Sequence, residues 1–210
     1  MGNKIKAVLF DMDGVLIDAK DWHFEALNKA LGLFGVEISR YDHLTTFDGL
    51  PTKVKLEMLS KRYYLPKELH PFINELKQMY TVEMINAKCH PMFNHEYALS
   101  KLHQLGYKIA VCSNSIRKTI ELMMDKAELA SYIDLIVSNE DVTKAKPDPE
   151  MYMMAVNKFG LKSEECIVVE DNPNGIQAGK SAGAHVLEVA TVYDVNYENI
   201  MRIIQEVEND

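Results

Sequence analysis

Asp11 and Asp13 stand two residues apart at the end of the apolar run Ala7-Val8-Leu9-Phe10. Such a run predicts a strand buried on both faces, the kind found in parallel sheets. Side chains at i and i+2 of an extended segment share a direction, so both carboxylates converge at the strand's C-terminal end. Open α/β sheets bind ligands in the crevice at that end. Two acids so close repel unless a cation or a proton lies between them. A second pair, Glu170-Asp171, closes another apolar run, Cys166–Val169, and leads through Asn172-Pro173-Asn174-Gly175 into a helix. If the two strands are neighbours, three or four carboxylates meet in one crevice, and hard oxygen ligands in that number suit magnesium. The plainer reading of Glu170 or Asp171 taken alone is a cap on the helix that follows. Two strand ends that each carry a pair favour the metal.

Two further segments suit an anion. In Val111-Cys112-Ser113-Asn114-Ser115 a strand gives way to a helix, and the exposed N–H groups and hydroxyl there form an anion site. Ser and Asn are also the usual helix caps, so this segment alone decides nothing. In Lys144-Ala145-Lys146-Pro147-Asp148-Pro149-Glu150 the two prolines stiffen a loop around Lys146. Its ammonium can neutralise a phosphate as a point charge, although a lysine beside a turn is commonly just surface; Lys144 lacks the proline constraint and is the weaker candidate. Together the four segments describe phosphoryl transfer. One carboxylate attacks phosphorus and carries the phosphoryl group, the other shuttles protons, and metal, lysine and amides hold the charge.

The elements that must position these groups follow from periodicity. Strands are predicted at Ala7–Phe10, Lys108–Cys112, Leu135–Val137, Cys166–Val169 and His185–Val189. Helices are predicted at Tyr97–Leu105, Arg117–Met124, Met151–Phe159 and Ile176–Ala182, with a closing helix at Tyr197–Val207. This alternation predicts an α/β fold, a Rossmann-like parallel sheet covered on both faces. From Phe10 to Lys108 the chain is far longer than a strand–helix–strand crossover needs. Its helices, Trp22–Leu33, Thr52–Leu59 and Leu69–Ile85, predict a small α-helical cap inserted over the carboxylate pair. The expected division is a core of residues 1–16 and 88–210 and a cap of residues 17–87. Trp22 and the methionines Met79, Met84, Met123, Met124, Met153 and Met154 are assigned to packing.

Composition bounds the function. At 210 residues, 47% apolar and 26% charged, the chain is ordinary for a globular protein. Its formal net charge of -8 argues against nucleic-acid or anionic-membrane partners, which need clustered positive charge. No apolar stretch approaches the ~20 residues of a membrane span, and the N-terminus runs straight into the first strand with no room for a signal peptide. Cys89, Cys112 and Cys166 are scattered, without zinc spacing, which fits a reducing, cytoplasmic compartment. A monomer is the default expectation.

In this order, Asp11-Met12-Asp13-Gly14-Val15, Ser113-Asn114-Ser115, Lys146-Pro147-Asp148-Pro149-Glu150 and Glu170-Asp171-Asn172-Pro173-Asn174-Gly175 resemble the four motifs of the haloacid dehalogenase superfamily. The resemblance covers essentially the whole chain. The nearest group is the phosphatase and β-phosphoglucomutase-like branch, which carries a helical cap after its first strand. By that resemblance Asp11 is the nucleophile that becomes an aspartyl-phosphate. Asp13 protonates the leaving oxygen and then deprotonates the attacking water. Mg2+ is held by Asp11, the main-chain carbonyl of Asp13 and Asp171, with Glu170 beside them; Ser113 and Asn114 bind the phosphoryl group and Lys146 offsets its charge.

In the cap, His23 matches a histidine of the branch, whereas Ala19 stands where its mutases and many phosphatases carry Thr. The segment Phe47-Asp48-Gly49-Leu50-Pro51-Thr52-Lys53 occupies the place where mutases present Lys-Gly and an Arg to a second phosphate. Asp48 repels an anion there, while Lys53 is able to reach one. His23, Gly49 and Lys53 are therefore the substrate-binding candidates of the cap, and hydrolysis is the expected outcome. The expected function is a magnesium-dependent phosphatase of a small phosphorylated metabolite, most readily a sugar phosphate. The alternative is a β-phosphoglucomutase-like sugar phosphomutase. A dehalogenase, which attacks carbon without magnesium, is opposed by Asp13 and the Glu170-Asp171 pair. A non-catalytic phospho-acceptor module is more remote, because such domains carry no long helical insert after the first strand.

Overall fold

The computed structural model describes residues 4–209. Its strands are β1 (Ala7–Phe10), β2 (Lys108–Cys112), β3 (Leu135–Val137), β4 (Cys166–Glu170) and β5 (His185–Glu188). Its helices are α1 (Lys20–Gly32), α2 (Arg40–Asp42), α3 (Thr52–Tyr63), α4 (His70–Lys88) and α5 (Phe93–Gln104), then α6 (Arg117–Lys126), α7 (Glu150–Phe159), α8 (Pro173–Ser181) and α9 (Tyr197–Asn209). The strands form one parallel sheet in the order β3-β2-β1-β4-β5. This is the α/β, Rossmann-like core.

The order places the switch point at β1. After β1 the chain builds outward through β2 and β3 on one side, then returns to lay β4 and β5 on the other. Phe10 is level with Val111 of β2 and Val169 of β4, so the residue after Phe10 emerges between the ends of both neighbours. All four residues of β1 are fully buried. Ala7 and Leu9 share a core with Met151, Tyr152 and Ala155 of α7 and Ala178 of α8. Helices α5, α6 and α9 lie against β2, β3 and β5, which explains why the strand reads as a continuous apolar run instead of an alternating one.

Residues Ala19–Cys89 form a compact unit distinct from the chain on either side of them. Within it α1 packs along α4. The core joins Leu27 and Leu31 of α1, Leu56 and Leu59 of α3 and Ile73 of α4 with Phe47, which precedes α3; the pairs in α1 and α3 stand at helical spacing.

Three departures from sequence expectation have physical causes. Helix α5 begins at Phe93, a turn before the expected Tyr97, and the apolar pattern concealed that turn because it buries a polar residue, His95, which is 1% exposed with its Nε2 2.8 Å from the Val192 carbonyl. Residues 40–47 form the short α2 and a π-turn, His43–Phe47, started by Ser39, whose Oγ accepts from the Asp42 N–H at 3.0 Å. Elements of three and five residues are too short to leave a periodic signal. Met123 and Met124 are fully buried as expected, but Met79 and Met153 are 55% and 46% exposed, on the outward faces of α4 and α7. Among the described residues no helix is long and apolar enough to cross a membrane.

Candidate active site

Asp11 follows β1 directly, and its N–H donates to the Val169 carbonyl at 3.0 Å, extending the ladder by one residue. The chain then turns: Ile17, Leu16 and Val15 all donate to the Met12 carbonyl, and Gly14 takes φ +91°, a conformation that favours glycine. The turn leaves Asp11 and Asp13 partly buried. Glu170 and Asp171 close β4 beside them, and α8 follows with Asn172 as its cap, accepting from the Asn174 N–H at 3.0 Å. One oxygen from each of Asp11, Glu170 and Asp171 lies within 4.8 Å of the others. Both oxygens of Asp171 are buried.

Lys146 enters from the loop between β3 and α7. Its Nζ donates to Asp11 Oδ1 at 2.6 Å, Glu170 Oε1 at 2.7 Å and the Cys112 carbonyl at 2.8 Å. The lysine is only 4% exposed. Burial works against its charge, but the carboxylates of Asp11 and Glu170 outweigh burial and lift its pKa above the ordinary lysine value. Burial, and then the charge of Glu170, push the Asp11 carboxyl well above the usual carboxylate range against the pull of Lys146. A cation among the acids reverses that balance.

Ser113 and Asn114 form the third side. Ser113, fully buried, receives the Ser115 N–H on its Oγ at 3.1 Å. Asn114 Oδ1 accepts from the Lys146 N–H at 3.3 Å, and its carbonyl accepts from Asn139 Nδ2 at 2.9 Å. Ser115 Oγ reaches Asp13 Oδ2 at 3.4 Å. The loops after β1, β2, β3 and β4 are thus cross-linked around one crevice.

Of the residues singled out in the sequence, Asp11, Asp13, Ser113, Asn114, Lys146, Glu170 and Asp171 all lie at this sheet end. His23, Gly49 and Lys53 belong to the helical unit. There His23 Nδ1 lies 3.2 Å from Nζ of the buried Lys77. Gly49 sits in a turn at φ +69°, and Lys53 is exposed in the first turn of α3. Asp48 has a neighbour in His43, whose Nε2 is 4.0 Å away, but burial and then Lys55 depress the His43 pKa and leave little positive charge to offset the acid.

Sequence reasoning missed Tyr152 and Lys77. Tyr152 donates its hydroxyl to Glu170 Oε1 at 2.7 Å. The signal was present: a Tyr in the buried stripe Met151, Tyr152, Ala155, Val156 needs a partner for its hydroxyl.

The donor set fits magnesium. Its three carboxylates are hard oxygen ligands, and among the described residues no thiolate or imidazole joins them. Glu170 is the most committed of the three. Oε1 accepts from Lys146 and Tyr152, and Oε2 accepts from the N–H groups of Asp171 at 3.1 Å and Asn172 at 3.3 Å. Four donors fill the lone-pair sites of a carboxylate.

Comparison with known proteins points the same way. The sequence model of the haloacid dehalogenase-like hydrolase family matches residues 8–189. The chain is 26% identical to a phosphorylated carbohydrates phosphatase of Thermotoga maritima, over 97% of this chain and 100% of that one. It is 30% identical to a phosphoglycolate phosphatase of Aquifex aeolicus, over 85% of this chain and 82% of that one. Among solved structures, a β-phosphoglucomutase of Clostridium difficile shares the fold with a TM-score of 0.83 at 24% identity, over 96% of this chain and 98% of that one.

Proposed function

The chain belongs to the haloacid dehalogenase-like hydrolases, on their phosphatase and β-phosphoglucomutase-like branch, and is a phosphoric monoester hydrolase; from that premise we propose that it is a magnesium-dependent phosphatase of a small phosphorylated metabolite, a sugar phosphate above all. The observation that carries the reading is the meeting of Asp11, Glu170 and Asp171 oxygens within 4.8 Å, with the Lys146 ammonium 2.6 Å from Asp11.

A carboxylate oxygen of Asp11 attacks phosphorus, and the bond from phosphorus to the ester oxygen breaks. Asp13, braced by Ser115, gives its proton to that oxygen and then takes one from the water that attacks the aspartyl-phosphate. Inorganic phosphate leaves, and both acids return to their starting states. Lys146, Ser113 and Asn114 stabilise the charge on the transferring group. Asp11, Asp171 and the main-chain carbonyl of Asp13 would hold the magnesium, with Glu170 supporting Lys146 from behind and acting on the ion indirectly. Bound there, the ion offsets repulsion among the acids and charge on the phosphoryl oxygens.

The unit Ala19–Cys89 is the cap in this proposal and selects the substrate through His23, Gly49 and Lys53, with Lys77 joining His23. The sugar-phosphate preference is supported by the likeness to the Thermotoga relative, a phosphorylated carbohydrates phosphatase. The enzyme is proposed to act as a cytoplasmic monomer; the buried thiols of Cys112 and Cys166 suit a reducing compartment. A mutase reading draws on a likeness at 24% identity, which carries the fold alone.

A screen of phosphate release from sugar phosphates, phosphoglycolate and other small monoesters, with Mg2+ and with Asp11→Asn as control, tests the reading. Release from at least one ester by the native protein and none by the variant is expected. Conversion of β-glucose 1-phosphate to glucose 6-phosphate with a bisphosphate primer would point to the mutase. A stable phosphoprotein with no released phosphate would point to a phospho-acceptor module.

A further inference from the structure

Tyr152 has the largest side chain among the fully buried residues, and its place in α7 sets it beneath the two charges that matter most. Its hydroxyl donates to Glu170 Oε1 at 2.7 Å, the same oxygen that receives Lys146 Nζ at 2.7 Å. The ammonium also lies 4.7 Å from the centroid of the Tyr152 ring, within cation–π range. One side chain therefore touches both members of the Lys146–Glu170 pair, through its edge and through its face. We propose that Tyr152 is a positioning residue for phosphoryl transfer: it locks the Glu170 carboxylate and the Lys146 ammonium in the one arrangement that points Nζ at Asp11.

The proposal rests on the phosphatase reading above. An ammonium on a four-carbon stem is free to swing unless its partners are fixed. Lys146 has three: Asp11, which must react; the Cys112 carbonyl, fixed by the sheet; and Glu170. Glu170 is held on one oxygen by the backbone N–H groups of Asp171 and Asn172, just before α8, and on the other by Tyr152. Without the hydroxyl, Lys146 alone bonds Oε1, and the carboxylate is free to pivot about its backbone contacts with the ammonium following. Burial and then the Glu170 charge raise the Tyr152 pKa well above the ordinary phenol value, so the hydroxyl keeps its proton and acts as a donor.

The test is a double-mutant cycle on whichever ester the native protein hydrolyses. Tyr152→Phe keeps the ring and its packing; kcat should fall about tenfold with KM changed less than about twofold. In a Glu170→Gln background the same substitution should change kcat by less than about twofold, because the charge it positions is gone. Tyr152→Met, which fills the space without ring or hydroxyl, should lose more than Tyr152→Phe. Met151→Leu, equally buried one residue away, controls for packing in α7 and should leave kcat unchanged. The proposal is overturned if Tyr152→Phe retains native kcat, if KM rises as much as kcat falls, or if its loss is undiminished beside Glu170→Gln. The native rate tests the phosphatase reading, whereas only the ratios of variant to native bear on Tyr152.

Discussion

Lys146 Nζ lies 2.6 Å from Asp11 Oδ1 across 135 residues of chain, and the same nitrogen holds Glu170 Oε1 at 2.7 Å. Glu170 is 1% exposed, so its charge has no water to stabilise it and depends on this ammonium and its hydrogen bonds. Lys146→Met should therefore do two kinds of damage. It leaves the buried Glu170 carboxylate and the partly buried Asp11 without their cation, at about 3–5 kcal/mol of stability, and it removes charge stabilisation from the transferring group, with kcat falling at least about 100-fold. Urea unfolding at neutral pH and phosphate-release kinetics check the two effects separately.

Magnesium should stabilise the fold as well as activate it. Clustered acids that repel in its absence are relieved when it binds, and an ion at 100 times its Kd contributes about 2.7 kcal/mol. For a chain of this length that corresponds to a rise of about 5 °C or more in Tm. Asp171→Asn should abolish most of the rise, because it removes one of the two acids assigned as direct ligands. An equal shift in native and variant proteins would place the ion elsewhere.

What was legible in the sequence was what leaves a pattern. β1 is buried on both faces, so its apolar run announced itself, and the acids after β1 and β4 could be placed at one edge because parallel strands all end on the same side of the sheet; that β4 is the neighbour of β1 stood only as a condition until the strand order supplied it. The Lys146 loop was legible through its prolines. Contacts made by single side chains across the fold were not. Nothing in the spacing from Lys146 to Tyr152 says that both reach one oxygen of Glu170. His95 hid the start of α5 because a buried imidazole bonded to a carbonyl looks polar in sequence.

Asp13 should matter in proportion to how badly the leaving oxygen needs a proton. Ser115 Oγ stands 3.4 Å from its Oδ2, which keeps the carboxyl facing the crevice. Asp13→Ala should cost about 10³-fold in kcat on alkyl phosphates and about tenfold on p-nitrophenyl phosphate, whose leaving group is stable as an anion. Equal losses on both esters would remove the proton-shuttle role.

Gly175 is the quietest residue of the site and among the least replaceable. It lies in the first turn of α8, where a Cβ would fall 1.7 Å from Glu170 Oε1 and 2.0 Å from its carboxyl carbon. That carboxylate is held by four donors and cannot step aside without releasing Lys146 and Tyr152. Gly175→Ala should cost about 3 kcal/mol from overpacking and lower kcat at least about tenfold through the displaced lysine. The mirror experiment, Gly32→Ala, where nothing lies within 4 Å of the added carbon, should be silent on kcat.

Asp141 gives the fold a pH dependence whose sign is set by its partners. Its Oδ2 accepts from the Ser138 N–H, Ser138 Oγ and Arg117 Nη2, each at 2.7 Å. Burial disfavours the carboxylate, but the bonds from Ser138 and the charge of Arg117 prevail and hold its pKa below the usual value. A carboxyl with a depressed folded pKa contributes stability that is present above its unfolded pKa of about 3.9 and fades as pH falls through the folded value. Asp141→Asn should therefore cost about 1.5–3 kcal/mol at pH 7. The cost should stay constant down to about pH 5 and shrink below about pH 4, as the native acid itself becomes neutral. Urea unfolding of both proteins from pH 7 to pH 3 measures the difference; a gap at pH 3 as wide as at pH 7 would mean the amide harms packing and not charge. Because Asn139, between Ser138 and Asp141, bonds the Asn114 carbonyl beside Ser113, acid should loosen the phosphoryl-binding loop along with the fold.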